Sequence, residues 1–366
     1  MKNLFVDVHV LQSIPPSCLN RDDTNSPKTA IYGGARRARV SSQSWKRAMR
    51  LMFKDYFDPS ELSMRTKYVF SFVADEIQKI SPELTREEAL LKAENALIDL
   101  GIKPSTKKGK EKDFEAGKES ESDVLFFMST QQARNIASLA LSEVDKKAIK
   151  KALKEGNGVD IALFGRMVAD DVTLNCEASA QVAHAISTHR VENEYDFFTA
   201  VDDLASRMHD DHAGSSHLGT VEYNSATLYR YATVAVHKLY EELAKNPAAL
   251  EKAIREFVRA FICSIPTGKQ NTFAAHTVPD AVLVAIRSDR PLNLAGAFEK
   301  PVSGEGLAER SAKALETYAS DAYEDFCTKP DASYIVGRYL EKLGNRLPLD
   351  DMLIRVGQDA AAKLTS

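Results

Sequence analysis

Leu4, Val6, Val8 and Val10 alternate with Phe5, Asp7, His9 and Leu11. A period of two predicts a strand with one face buried more thoroughly than the other, ended by Pro15-Pro16. The period then changes. Trp45, Ala48, Met49 and Met52 stand at i, i+3, i+4 and i+7, the stripe of an amphipathic helix that Ser41 or Ser42 could cap. Apolar positions set among long charged side chains predict helices over 65–81 and 85–100. Thr85 with Glu88 makes a capping box for the second, and Gly101 stands where a C-terminal glycine belongs. A further helix is predicted over 130–153. The apolar run from Val159 predicts a strand that stops at Gly165-Arg166-Met167, and 178–188 a short strand. Thr227 to Val236 predicts another strand, with Tyr229 and Tyr231 on one face. Before it, from Asp196 to Glu222, runs a polar excursion that reads as a hairpin-like projection, since structureless loops of that length are uncommon in compact domains. The third part predicts a helix over 247–262, a buried strand over 281–286 and a helix over 306–326.

Composition narrows the class. The chain has 366 residues, 44% hydrophobic and 27% charged, which suits a globular protein of about two domains. With no apolar run long enough to span a bilayer and no signal peptide, the expected location is the cytoplasm, with no membrane partner. Cys18, Cys176, Cys263 and Cys327 are scattered without a CxxC pair, so reduced thiols are expected and no zinc ribbon. A net charge of −4 argues against nucleic-acid binding over the whole surface and leaves local patches as the candidates.

Such a patch exists. From Lys28 to Lys54 every charged residue is positive. Hydroxyls and amides at Ser41 to Ser44 lie at a predicted helix N-terminus, where unpaired N–H groups and the dipole favour a phosphate. Lys46, Arg47, Arg50 and Lys54 share a face that could follow a phosphate backbone, although a solvated basic face has the same pattern. Lys146, Lys150 and Lys154, with Lys147 and Lys151 beside them, form a ladder that is either plain surface or a sequence-independent duplex-binding strip. Met167 beside Arg166 is either core filler or an apolar wedge next to a cation, the pairing needed to part stacked bases while holding a phosphate. Pro266 to Thr272 offers phosphate-friendly donors without the Walker spacing. Residues 103–123 read as a mobile loop.

In order along the chain, several blocks resemble the type I-E CRISPR Cascade backbone subunit family, CasC. They are His9-Val-Leu, Ser17-Cys-Leu-Asn-Arg-Asp-Asp, the Gly33-Gly34 to Ser44 block, Lys46-Arg-Ala-Met-Arg and Val159-Asp-Ile-Ala-Leu to Met167. Ala183-His-Ala-Ile, Phe198-Thr-Ala-Val-Asp-Asp-Leu, His217-Leu-Gly-Thr, Tyr229-Arg-Tyr-Ala and Lys269-Gln270 complete the set. The resemblance implies an α+β subunit with an RRM-like (ferredoxin-like) palm over 1–59, 159–189 and 225–366, the last part including C-terminal helices. A mostly helical fingers insertion over 60–158 and a thumb hairpin over 190–224 would interrupt it. Copies would stack along one CRISPR guide RNA beside other Cascade subunits, kinking the guide at intervals and leaving its bases free to pair with target DNA. Arg21, Ser41, Ser42, Gln43, Lys46 and Arg50 would hold guide phosphates. Arg166 and Met167 would sit at the kink, Phe198, Thr199 and Leu218 in the thumb contact, and Lys269 on the palm-side phosphate surface. Lys146, Lys147 and Lys150 would line the DNA strip. The resemblance implies no catalytic residue, no metal and no cofactor.

Two other readings compete. His184, His189, His209, His212 and His217, with Asp202, Asp203, Asp210 and Asp211, could hold a metal, as in a metal-dependent ribonuclease of the RRM-like CRISPR superfamily, yet HEXXH is absent. A general single-strand binder would need aromatic stacking platforms, and the basic stretch contains only Tyr32 and Trp45 before Phe53.

Overall fold

The computed structural model describes residues 3–98, 100–105, 119, 121–142, 145–168, 172–200 and 217–365. The strands are β1 Phe5–Ser17, β2 Thr29–Tyr32, β3 Ala35–Val40, β4 Ser63–Thr66, β5 Phe126–Ser129, β6 Ala180–Val182, β7 Ala185–Ser187, β8 Glu194–Ala200, β9 His217–Ala235, β10 Ala281–Arg287, β11 Ala332–Gly337 and β12 Asn345–Arg346. The fold is mixed α+β. Two compact units divide it: Met1–Met49 with Val182–Thr233 and Ile254–Ser366, and Arg50–Gln181 with Val234–Ala253.

A mostly antiparallel sheet runs through the first unit in the order β12-β11-β10-β1-β9-β7-β3-β2, with β8 pairing β9 off this path. β1 pairs with β10 from Phe5↔Arg287 to Leu11↔Ala281. Because it is central, its two faces are both covered: Val6, Val8 and Val10 are buried, and so are Asp7, His9 and Leu11. The alternation predicts one face buried more thoroughly than the other, whereas a central strand is covered on both. Nor do the prolines end the strand. It continues to Ser17, and Pro15-Pro16 lie exposed, where a missing N–H costs little. The core on one side packs the helix Leu307–Asp325, through Ala312, Leu315 and Ala319, with Leu11, Tyr229, Tyr231, Leu283 and Ile335.

Two polar groups of β1 are paired in this interior. Asp7 accepts hydrogen bonds from the Tyr231 hydroxyl at 2.9 Å and from the Leu292 amide at 2.9 Å. His9 Nδ1 lies 2.9 Å from the Tyr229 hydroxyl, which also accepts from the Leu294 amide. Burial pushes the Asp7 carboxyl up to about 6 and the His9 imidazole down to about 3, the Arg287 charge adding to the histidine shift. His9 is therefore a satisfied core histidine.

The second unit is mainly helical, with Val69–Ile80, Arg86–Ile98, Thr130–Ala140 and Lys146–Lys154 around Phe70, Ile77, Leu90, Leu97, Ile136 and Leu153, and with β4 paired to β5. The capping box forms: the Thr85 amide donates to Glu88 at 2.8 Å, and the Glu88 amide to the Thr85 hydroxyl. Gly101 takes φ 86° at the end of that helix. Two expectations fail. The segment over 130–153 is two helices, not one, because Asp145 caps a new start by accepting from the Lys147 amide. The run from Val159 is a helix, Val159–Phe164, not a strand, and Gly165 ends it at φ 76°. Short apolar runs carry no decisive period. Most of the expected loop at 103–123 lies outside the described residues.

Candidate nucleic-acid interface

In the first unit the candidate groups gather around Leu19 and Asn20. Residues 20–28 close on themselves: the Lys28 amide donates to the Asn20 carbonyl, and Asp22 Oδ1 accepts from the amides of Thr24 and Ser26. Arg21 is exposed on this loop and donates to Asn25 Oδ1 at 2.5 Å. Asn20 Oδ1 accepts from the Ser41 amide at 2.9 Å, which ties the loop to the start of the helix Ser42–Phe53. Ser41 is buried, and its Oγ accepts from the Ser44 amide at 3.4 Å, so it serves as the cap. Ser42 is half-buried and Gln43 exposed.

Trp45 and Met49 anchor that helix, with the Arg230 guanidinium 3.8 Å from the Trp45 ring centroid. Arg230 in turn donates to Gln12 Oε1 and to the Phe261 carbonyl. Lys46 is half-buried, and burial holds its ammonium below the usual lysine range. The remaining arginines of the basic stretch divide by location. Arg37 is fully buried, donating to the carbonyls of Tyr32, Ser187, Phe298 and Glu299, whereas Arg36 and Arg47 are exposed.

Lys269 reaches the same locus from far along the chain. Gly268 lies so close to the segment that follows β1 that a Cβ there would sit 2.3 Å from the Leu19 carbonyl oxygen. Burial pushes the Cys18 thiol up, while the charges of Arg21 and Lys269 lower it and those of Asp22 and Glu222 raise it. The β8–β9 hairpin leaves from here, paired from Glu194↔Tyr223 to Ala200↔His217. Phe198 and Thr199 are exposed on β8, and the Phe198 ring lies across Gly219, where a Cβ would come within 2.4 Å of it. Leu218 sits opposite Thr199 by register. Residues 201–216 lie outside the described residues, and with them His209, His212 and the four aspartates of the metal reading. His184 lies 3.2 Å from Arg39, and His189 Nε2 accepts from the Thr227 amide.

The second unit holds the other candidates. Arg50 donates to Asp160 at 3.3 Å and stands 4.4 Å from the Phe127 ring centroid. Asp160 is buried and also accepts from the Ser63 amide. Arg50 is thereby bound into the fold. Arg166 is bound more completely: it is buried and donates to the carbonyls of Leu174, Phe127 and Leu153 and to Gln132 Oε1. Burial presses its guanidinium below the usual arginine range. The resemblance places Arg166 at the kinked nucleotide; here its guanidinium is turned inward and braces backbone carbonyls.

Met167 has the opposite fate. It is 84% exposed, held between buried Arg166 and buried Val168. The Arg166 amide and carbonyl both bond to Cys176, and the Val168 amide donates to Asn175 Oδ1. The turn thus presents an apolar side chain outward on a fixed backbone. Lys146 and Lys147 are exposed on the helix Lys146–Lys154, Lys150 is half-buried with its ammonium 3.5 Å from Thr173, and Lys151 pairs with Glu155. Asp170 and Asp171 lie outside the described residues. Spacing alone missed the structural arginines and the aromatic pair Tyr223–Phe273 at the hairpin root, ring centroids 5.7 Å apart.

Together these features define a sheet-based α+β chain with a projecting hairpin, exposed phosphate-type donors at its root and an outward apolar residue on a separate turn. The chain belongs to the family of CT1975-like proteins, whose model matches residues 6–351. Among solved structures, it is similar to a chain of a "CRISPR RNA-guided surveillance complex, pre-nicking", 32% identical, with a TM-score of 0.82 and coverage of 96% of this chain and 99% of that one. A chain of a second "CRISPR RNA-guided surveillance complex" is 28% identical, with a TM-score of 0.70 and the same coverage. These similarities bear out the resemblance to the Cascade backbone family and the α+β class. No match is found among curated proteins. Among the described residues, no helix is long and apolar enough to cross a membrane.

Proposed function

We propose that the chain is a non-catalytic backbone subunit of a type I-E CRISPR surveillance complex acting in the cytoplasm. Copies of it line up along a CRISPR guide RNA beside other subunits. Each holds the guide by its phosphates and kinks it, so that the intervening bases pair with target DNA. The observation that carries this reading is that Asn20 ties the Arg21 loop to the start of the helix that carries Ser42 and Gln43, while Gly268, next to Lys269, packs on the neighbouring Leu19 carbonyl. Cations, amides and hydroxyls grip a phosphate backbone without reading bases, as a scaffold for any guide sequence must. Whole-length similarity to chains of RNA-guided surveillance complexes supports the same reading.

Co-expression with two guides of unrelated sequence tests it. The protein should co-purify with both RNAs in multiple copies, with chemical probes showing reactive bases at regular intervals. Recovery free of RNA would sink the scaffold reading. Guide cleavage by the purified protein that stops on adding a chelator would replace it with the metal-dependent ribonuclease.

A further inference from the structure

We propose that Tyr223, Phe273 and Gly268 are positioning residues that lock the Lys269 loop to the root of the β8–β9 hairpin, so that phosphate capture and hairpin orientation are set together. This rests on the RNA-binding function proposed above.

Lys269 occupies a left-handed conformation, φ 50°, before the single helical turn Gln270–Phe273, and Ala274 takes φ 47° after it. Two non-glycine residues in this region within six positions make a loop that its neighbours must hold in place, since each such residue costs on the order of 1 kcal/mol. The turn supplies little of that hold, because none of its residues is fully buried. Its neighbours supply the rest from both ends. Upstream, Gly268 packs against the Leu19 carbonyl, a space that no side chain can enter. Downstream, the Phe273 ring meets the Tyr223 ring at 5.7 Å and 48°. Tyr223 is the residue opposite Glu194 in the first pair of the hairpin ladder, and its hydroxyl lies 3.5 Å from the Glu194 carboxylate. The amides of Thr272 and Phe273 both donate to the Lys269 carbonyl. The Phe273 ring therefore connects, through one turn of backbone, to the residue that carries the ammonium. A shift of the hairpin root moves Tyr223, Phe273 and Lys269 in series.

A double-mutant cycle in salt-dependent guide binding tests this. Lys269→Ala should lower the slope of log affinity against log salt by about 1, as one lost phosphate contact does. Phe273→Ala and Tyr223→Ala should each lower that slope as well, weaken binding roughly tenfold, and add nothing further in the Lys269→Ala background. Phe273→Tyr should restore wild-type behaviour. Additive losses, or weaker binding at an unchanged slope, would show mere packing and overturn the proposal. Hydrogen exchange on the RNA-free protein gives a second, independent reading. Tyr223→Ala should speed exchange of the amides of 272–274, and unchanged exchange there overturns the coupling. If wild-type protein binds no guide, the scaffold function falls, while the exchange experiment still decides whether the hairpin root holds the loop.

Discussion

The locus at Leu19–Asn20 and the turn at Gly165–Val168 handle the same residue types in opposite ways. At the first, polar groups from distant stretches of chain are brought to the surface: Arg21 is exposed, and Asn20 joins its loop to the helix start. At the second, the arginine is spent inside and the apolar residue is put outside. An Arg in a nucleic-acid motif is therefore not by itself a cation facing a ligand. Arg37, Arg50, Arg166 and Arg230 all brace backbone or carboxylate groups of this chain. Their fork of donors suits several carbonyls at once, which a lysine could not satisfy in the same geometry.

The largest expected effect separates these two uses of arginine. Arg166→Met should destabilise the second unit by about 3–5 kcal/mol, because the carbonyls of Phe127, Leu153 and Leu174 lose a charged donor in a buried site. Denaturant unfolding measures this. A change below about 1 kcal/mol would mean the brace is dispensable, and Arg166 would return as a candidate guide contact.

Next comes a test of the interior of the first unit, where Asp7 and His9 are paired with tyrosine hydroxyls. The folded chain keeps His9 neutral down to about pH 3, whereas the unfolded chain protonates it near 6.5, so its contribution is full above pH 6.5 and is lost as pH falls. Asp7 works the other way. Its folded value of about 6 lies above 3.8, so its contribution is present at low pH and is lost as pH rises through 6. Between pH 6 and 4 the two oppose each other. Relative to wild type, Asp7→Asn should steepen the loss of stability on acidification by about 2 kcal/mol, and His9→Gln should reverse its sign by a similar amount. Unfolding curves at pH 4, 5, 6 and 7 provide the measurement, and parallel profiles for all three proteins would contradict it.

At the exposed locus the effect should appear in binding instead. Combined Arg21→Ala and Lys269→Ala should leave stability within about 0.5 kcal/mol, weaken guide binding at least about tenfold and lower the salt slope by about 2. The loss should be equal for unrelated guides. A loss that depends on guide sequence would indicate base readout and dissolve the contrast with the Arg166 turn.

What could be read in advance follows from the range of the interactions involved. The stripe of Trp45, Ala48 and Met49 and the Thr85/Glu88 capping box depend on residues within one or two turns, and both form. β1 was legible as a strand, but its central place was not, because the partners that cover Asp7 and His9, such as Tyr229 and Tyr231, lie more than two hundred positions away. Val159–Phe164 defeated pattern reading because a mostly apolar run of six residues fits a strand or a helix equally well. For the candidate interface, the resemblance named Lys269 and Arg21 without any local signal that they meet. That Arg166 turns inward could not be seen at all, since its partners come from 127, 132, 153 and 174.

Met167 gives the smallest expected effect on stability and the finest test of the comparison. At 84% exposure its side chain contributes little to the core, so Met167→Ala should change unfolding free energy by less than about 0.5 kcal/mol. Affinity for the guide should change little as well, because a wedge parts bases without holding a phosphate. The geometry of the bound guide should change instead: where methionine enters a base step, alanine is too short to keep the bases apart, and the step can restack. Probing the bound guide should then show lower reactivity at the regularly spaced kink positions for Met167→Ala, with Met167→Leu close to wild type because its apolar bulk is similar. The rigid backbone at Arg166 and Val168 makes this a clean substitution, since neither buried neighbour depends on the 167 side chain. An unchanged reactivity pattern would leave Met167 as a solvent-exposed apolar residue with no part in bending the guide, and the kink would then have to come from the hairpin alone.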